Sequence, residues 1–173
     1  WGRPADGHEI TVFNGTTNNG TTNNAGRGLA DATVLEALAA DAYPSYANFI
    51  VTNAGTKDWL ATQADPDRWA IASQGPCPVN YHVPTQAEWT IADTFGSWSN
   101  NTEAYSSTLK LPSAGFRDRT IGTLYYQGTY GFYWSSKVSG TNASYLFLYS
   151  SLAYMRGDLY NRAHGFTVRC LKD

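Results

Sequence analysis

CPVNYHVPTQAEWTIADTF, residues 77–95, carries the clearest local signal in this chain. Thr85 followed three residues later by Glu88 is the pattern of a capping box, in which hydroxyl and carboxylate satisfy amides that a helix start leaves orphaned. Pro84 blocks any upstream continuation, and Val83 and Trp89 have the spacing of a hydrophobic staple. Trp89, Ala92 and Phe95 recur at i, i+3 and i+6, one apolar stripe. The spacing predicts a helix that starts at Thr85 and stops near Gly96. His82, just ahead of it, reads as structural.

Upstream the patterning is weaker. Residues 10–13 form a short strand candidate, and the unit Asn14-Gly-Thr-Thr-Asn is then repeated from Asn19. Such a polar tract buries no apolar surface and reads as an exposed loop. In LADATVLEALAADAY, Asp31 is a suitable N-cap and Val34, Leu35 and Leu38 share a face, which predicts a helix of about ten residues ending before Pro44. Residues 48–69 alternate short apolar pieces with turn residues. The chain opens at Trp1 without Met, and is expected to be a processed or trimmed piece, the distal part of something longer.

Downstream, from Lys110 onward, the chain reads as all β. Glycines recur at short intervals with aromatics between them in LKLPSAGFRDRTIGTLYYQGTYGFYWSSKVSG, as tight hairpins in a twisted sheet require. GFTVRCLKD supplies a closing strand over residues 166–170, with Phe166, Val168 and Cys170 on one face and Thr167 and Arg169 on the other. Two early helices followed by short irregular strands and much loop make the expected class α+β, in a single domain over residues 1–173.

Composition narrows the function classes. Charged residues are 15% of the chain, against about 25% in an average soluble domain, while aromatics reach 14%. The formal charge of −2 supplies no basic field, so nucleic acid is not an expected partner. No apolar run is long enough to span a bilayer, so no membrane insertion is expected. No G-x-S-x-G, H-E-x-x-H or phosphate-binding glycine loop occurs. His8, His82 and His164 are scattered, and Asp65, Asp67, Asp118 and Asp158 form no motif, so the chain is not expected to be an enzyme. Sequons at Asn14, Asn19, Asn100 and Asn142 arise readily in so Asn- and Thr-rich a chain. Cys77 and Cys170 are too few for a zinc site. By spacing alone they fit a disulfide or two buried thiols equally well.

GPCPVNYHVPTQAEW, LKLPSAGFRD, GFYWSSKVSG and RAHGFTVRCLKD, taken in that order, resemble the Fibrobacter succinogenes major paralogous domain family. The opening WGRPADGHE resembles the lead-in of some members. The likeness covers residues 75–173 as the core match; in the N-terminal part, residues 1–74 with the exposed Asn/Thr-rich loop, residues 25–74 carry little of it. The resemblance implies a C-type-lectin-like fold, in the version shared with formylglycine-generating enzymes. Its ends would meet on a small sheet, bringing Cys77 near Cys170 as a disulfide, and a second sheet would carry a ligand face. The Glu-Pro-Asn and Gln-Pro-Asp triplets of calcium-dependent sugar binding are absent, so no cofactor is expected, with a structural calcium left open.

Some members of this wider fold are targets of diversity-generating retroelements, which rewrite AAC-type codons as any NNC codon. YLFLYSSLAYMRGDLYNRAHG, residues 145–165, obeys that restriction except at Met155. The expected frame, Y-L-x-F-x-S-S-x-A-x-M and then R-A-x-G-F, is met at Tyr145, Leu146, Ser150, Ser151, Ala153, Met155, Arg162, Ala163, Gly165 and Phe166, and missed at Leu148. The remaining positions include the expected ligand-binding residues: Phe147, Tyr149, Leu152, Tyr154, Arg156, Asp158, Tyr160, Asn161 and His164. Tyrosine gives large contact area at low entropic cost, and Ser, Gly and Asn give adaptable hydrogen bonding.

The expectation is therefore a non-enzymatic recognition domain, a variable protein that binds a protein or glycan ligand. It would serve adhesion from a cell surface or secreted protein, or receptor binding from a phage tail fibre. Alternatives are a structural module of such an assembly and an enzyme like the formylglycine-generating enzymes. Trp134, Ser135 and Ser136 would be scaffold beneath the face, the frame residues would stay packed, and phenylalanine and leucine would stand exposed among the tyrosines.

Overall fold

The computed structural model describes Asp58, Trp69 and residues 76–173, the side chains of residues 156–159 excepted. The strand candidate at 10–13, the Asn/Thr-rich repeat and the helix expected from Asp31 lie outside the described residues, as do His8, Asp65 and Asp67. What is described is α+β: two helices and small antiparallel sheets.

The first helix, α1 (Gln86–Gly96), begins where the capping box places it. Thr85 Oγ1 accepts from the Glu88 amide at 3.2 Å, and the Thr85 amide donates to Glu88 Oε2 at 2.8 Å. Of the apolar stripe, Trp89 is fully buried and Ala92 half-buried, but Phe95 is 85% exposed. The stripe ends one turn early because the helix runs past the edge of the core. Val83 and Trp89 are both buried, in different cores. A second helix, α2 (Asn101–Ser106), has Asn100 as N-cap, and Glu103 accepts from the Ser99 amide at 2.6 Å. No expectation covered it.

Three long strands form the central antiparallel sheet: β4 (Gly131–Ser139), β5 (Asn142–Tyr149) and β6 (Leu152–Asn161), in the order β4-β5-β6. Gly140, at φ +58°, opens the two-residue turn between β4 and β5, a position that needs the left-handed region. Shorter pairs flank it: β2 (Phe116–Arg117) with β3 (Leu124–Tyr125), and β1 (Tyr81–His82) with β7 (Leu171–Lys172).

The closing strand expected over 166–170 is a correction. Thr167 alone bridges to β4, exchanging backbone bonds with Trp134 and Phe132 at 3.0 Å each, and the next paired residues are Leu171 and Lys172 on β1. The segment is shared between two partners, so neither offers it a continuous ladder. Cys170 is half-buried between these attachments and joined to Cys77 by a disulfide.

Both faces of the central sheet are covered. Leu146, Leu148, Tyr133 and Ala153 pack on one side with Trp89, Trp98, Ala104 and Leu111 from the helical layer. Trp134, Tyr145 and Phe132 pack on the other with Phe116, Phe166 and Trp69. Trp89 Nε1 donates to Trp134 O at 3.0 Å, pinning α1 to β4. A strand buried on both sides has no polar face to show, which is why residues 145–149, Tyr-Leu-Phe-Leu-Tyr, run without polar alternation.

A charged clasp closes the β1–β7 end. His82 Nδ1 lies 2.6 Å from Asp173 Oδ1, and His82 Nε2 lies 2.9 Å from Glu88 Oε1. A neutral imidazole donates from one nitrogen only, so carboxylates on both sides favour the imidazolium. The Asp173 hydrogen bond, opposed by partial burial and aided by Glu88, raises the His82 pKa above 6.5. The clasp therefore contributes fully below 6.5 and is lost as pH rises through the raised folded-state value. Relative to a His82→Gln variant, the wild type should lose stability as pH rises from below 6.5 through the raised folded-state value. The loss should be no more than about 1 kcal/mol, since all three side chains keep about a third or more of their surface in solvent. Parallel melting-temperature profiles for the two proteins would refute this.

Candidate functional site: an aromatic face open at one end

Strand register arranges the rings in rows. Phe147 on β5 stands opposite Phe132 on β4 and Tyr154 on β6, and Tyr145 stands opposite Trp134 and Arg156. Tyr149 pairs with Leu152 at the hairpin tip, where Tyr130, just ahead of β4, meets it at 5.6 Å between centroids. Successive positions two apart on each strand share a face, so these rows make one aromatic surface.

Burial falls along that surface. At one end Trp134 is 1% and Tyr145 2% exposed, roofed by Phe166, which stacks on Trp134 at 4.1 Å, and by Phe116. Phe132 is buried under Phe116 at 5.1 Å. Toward the Ser150–Ser151 tip the roof ends. Phe147, Tyr154, Tyr149 and Tyr130 are half-buried, and Tyr126 reaches 38% exposure. Contact between rings continues outward: Phe147 lies 6.0 Å from Tyr154, 5.4 Å from Tyr149 and 5.6 Å from Tyr130. Tyr126 stacks on Tyr130 at 4.6 Å.

The turn holding Tyr126 is preset. Tyr126 takes φ +58°, a left-handed value that costs a non-glycine residue about 1–2 kcal/mol. It is locked there because the Thr129 and Tyr130 amides both donate to Tyr126 O at 3.0 Å, and the Gly128 amide reaches Ser113 O at 2.7 Å. Gly115 permits this approach: a Cβ there would lie 2.1 Å from Tyr125 O. Strain retained at an exposed ring is a pointer to function.

The expected site residues divide. Phe147, Tyr149, Leu152 and Tyr154 come together at the open end. Tyr160 instead packs inward, 5.2 Å from Tyr145 and from Phe166. Asn161 pairs with Asn142, and its Oδ1 is buried without a hydrogen-bond partner. His164 is a correction: at 8% exposure it is a core residue beneath Phe116 and beside Tyr160. Burial drives its pKa down to about 4 against the pull of Asp118, so it is neutral near neutral pH. The side chains of Arg156 and Asp158 lie outside the described residues.

The exposed phenylalanine and leucine expected here are also corrected. Phe147 and Leu152 are half-buried and Leu148 is fully buried, because the sheet is covered on both sides. Among the frame residues, Leu146, Ala153 and Arg162 are buried, whereas Ser150 and Ser151 form the exposed turn. Trp134 and Ser135 are buried beneath the face and Ser136 is half-buried. Tyr126 and Tyr130 were missed. LYYQGTYGFY read only as a hairpin, and no spacing rule places its rings beside Tyr149.

Among the described residues no three His, Cys, Asp or Glu gather as a metal cluster. No helix among them is long and apolar enough to cross a membrane. Residues 92–171 match the family model described as a domain of unknown function, DUF8237. That match takes in the central sheet and the whole aromatic face and excludes Cys77 and β1. No solved structure matches the chain.

Proposed function

We propose that this domain is a non-enzymatic ligand-recognition module of C-type-lectin-like architecture, whose contact surface is the open end of the aromatic face. The observation that carries the reading is the burial gradient: rings in unbroken contact run from a sealed core to half-exposed tyrosines at the hairpin tip. A surface built this way presents preordered aromatic area at little entropic cost. The β1–β7 pairing, the Cys77–Cys170 bridge beside it and a second sheet bearing the face support the lectin-like architecture. The bridged cysteines speak against the chemistry of a formylglycine-generating enzyme, which wants a reactive pair in an open cleft.

Diversification by a retroelement belongs to the same proposal. Phe147, Tyr149, Leu152 and Tyr154, all NNC-encodable, cluster where change is tolerable, while Tyr160 and His164 lie among core rings. A near-copy of the 3′ coding end beside a reverse transcriptase gene is the expected neighbouring DNA, and its absence would remove this part. Display on a cell surface, a secreted protein or a phage fibre is the setting in which such a module would work.

Ring truncation tests the face. Tyr149→Ala and Tyr154→Ala should each cost no more than about 1.5 kcal/mol, since half-exposed rings forfeit little burial. Tyr160→Ala, which touches Phe116, Phe132, Tyr145, His164 and Phe166, should cost about 3 kcal/mol. Urea unfolding of the three variants distinguishes them. Equal, large losses would make the whole face core and would favour a structural module instead.

A further inference from the structure

The two segments that build the open end share a property beyond their rings. Residues 120–136 and 138–155 contain no Asp, Glu, Lys, Arg or His. The single intervening charge, Lys137, lies on β4 beyond Trp134, toward the sealed end. What the open end offers is tyrosine rings, tyrosine hydroxyls and the Ser150–Ser151 tip; the next charged position along β6, Arg156, stands in the row of Tyr145 and Trp134, toward the sealed end.

That chemistry discriminates between ligand classes. An anionic ligand, whether nucleic acid, sulfated glycan or phosphopeptide, needs Arg or Lys to pair with. A protein partner of ordinary affinity needs about 800 Å² and some 20–30 residues on each side. Among the described residues the open end is a few partly covered rings and a serine turn. An uncharged sugar fits better. Its C–H face is apolar and can lie on a tyrosine ring, and its rim of hydroxyls exchanges hydrogen bonds with hydroxyl groups of the same kind.

The ring arrangement adds to this. Tyr126 and Tyr130 are near-parallel at 26°, whereas Tyr130 stands edge-on to Phe147 at 80° and steeply tilted to Tyr149 at 63°. Faces and edges therefore alternate along a short track, which suits successive rings of a chain more than a flat partner. Resting on the recognition reading above, we infer that the ladder Tyr126–Tyr130–Tyr149–Phe147–Tyr154 binds an uncharged oligosaccharide by stacking, without charge pairing.

The test uses the full chain and immobilised oligosaccharides in two sets, neutral (gluco-, manno- and galacto-configured) and anionic (sialylated, uronic or sulfated). Retention of one or more neutral chains, unchanged between about 0.05 and 1 M NaCl and by EDTA, is the expected result. Tyr126→Ala and Tyr130→Ala should each weaken it about tenfold, with melting temperatures close to wild type. Retention of anionic chains alone, abolished by salt, would overturn the inference and leave a recognition face of another chemistry. Retention of no chain at all would overturn it too. The truncations then judge the wider reading: stable variants keep the face as a contact surface for protein, and strongly destabilised ones make it core. Neutral retention unaffected by either truncation would place the sugar elsewhere and equally overturn the assignment.

Discussion

Replacing Asp58 by Ala should destabilise the domain by about 3–5 kcal/mol. Asp58 Oδ2 lies 2.8 Å from Arg162 Nη2, with the side chains 0% and 1% exposed. Two charges withdrawn from water this completely are tolerable only together, and removing the carboxylate leaves a guanidinium in the interior without its counter-charge. Arginine does not escape by losing its proton, because its pKa lies far above neutrality. Asp58→Asn should cost nearly as much, since it keeps the shape and removes the charge. For a chain of this size the loss corresponds to a fall in melting temperature of about 10 °C or more. A pair replaced on both sides, Asp58→Leu with Arg162→Met, should recover much of the loss. A single variant melting within about 3 °C of wild type would show that the pair does not hold Asp58 to the sheet.

Breaking the Cys77–Cys170 bridge is the second large effect. The cysteines are 93 residues apart in sequence, and almost the whole described region lies within the loop they close. Constraining so long a loop removes unfolded-state entropy worth about 4–5 kcal/mol in the chain-entropy account. The native protein should show no reactive thiol at Cys77 or Cys170. Cys77→Ser/Cys170→Ser, or reduction of the wild type, should lower the melting temperature by about 10–15 °C. The bridge stands beside the β1–β7 pair and the His82 clasp, and away from the hairpin tip. Fraying on reduction should therefore begin at residues 170–173 and spare the aromatic ladder, which hydrogen exchange at individual amides would resolve. Coincident melts with and without reductant, after thiol titration has verified reduction, would overturn this.

Both effects bear on recognition through rigidity. Arg162 sits in the turn that follows β6, and Phe166, a few residues on, roofs Trp134. Loss of the Asp58–Arg162 pair would loosen the roof first and the open face second, whereas loss of the bridge acts first on residues 170–173. A variant that binds poorly because its scaffold is loose differs from one lacking a contact ring. The former loses stability and affinity together, and the latter affinity alone.

Some features were legible in the chain because their causes are local. The α1 start follows from Thr85, Glu88 and Pro84, which act within one turn. Gly140 marks a tight turn because few other residues accept its backbone angle. Asn100 and Glu103 carried the same kind of local information for α2, and it went unread. The density of tyrosine among Ser, Asn and Gly over residues 145–165 pointed to a contact surface, and that property needs no fold to be counted.

Which rings are contacts and which are core was decided only by the tertiary structure. Tyr145, Phe147 and Tyr149 are alike in sequence context and alternate identically along β5. Their burial differs because Phe166 and Phe116 roof one end of the sheet and nothing among the described residues roofs the other to the same depth. Tyr126 and Tyr130 join them from the turn between β3 and β4, and Asp58 finds Arg162 across most of the chain. His164, an apparent surface residue, is buried against Phe116 from a distant segment and against its near neighbours Tyr160 and Phe166. Exposure and ion pairing depend on what arrives from elsewhere in the chain, which residue order alone does not encode. The amino-acid sequence by itself determined where chain direction and chemistry change; the packing of helices, roof and sheet determined which of those residues meet solvent.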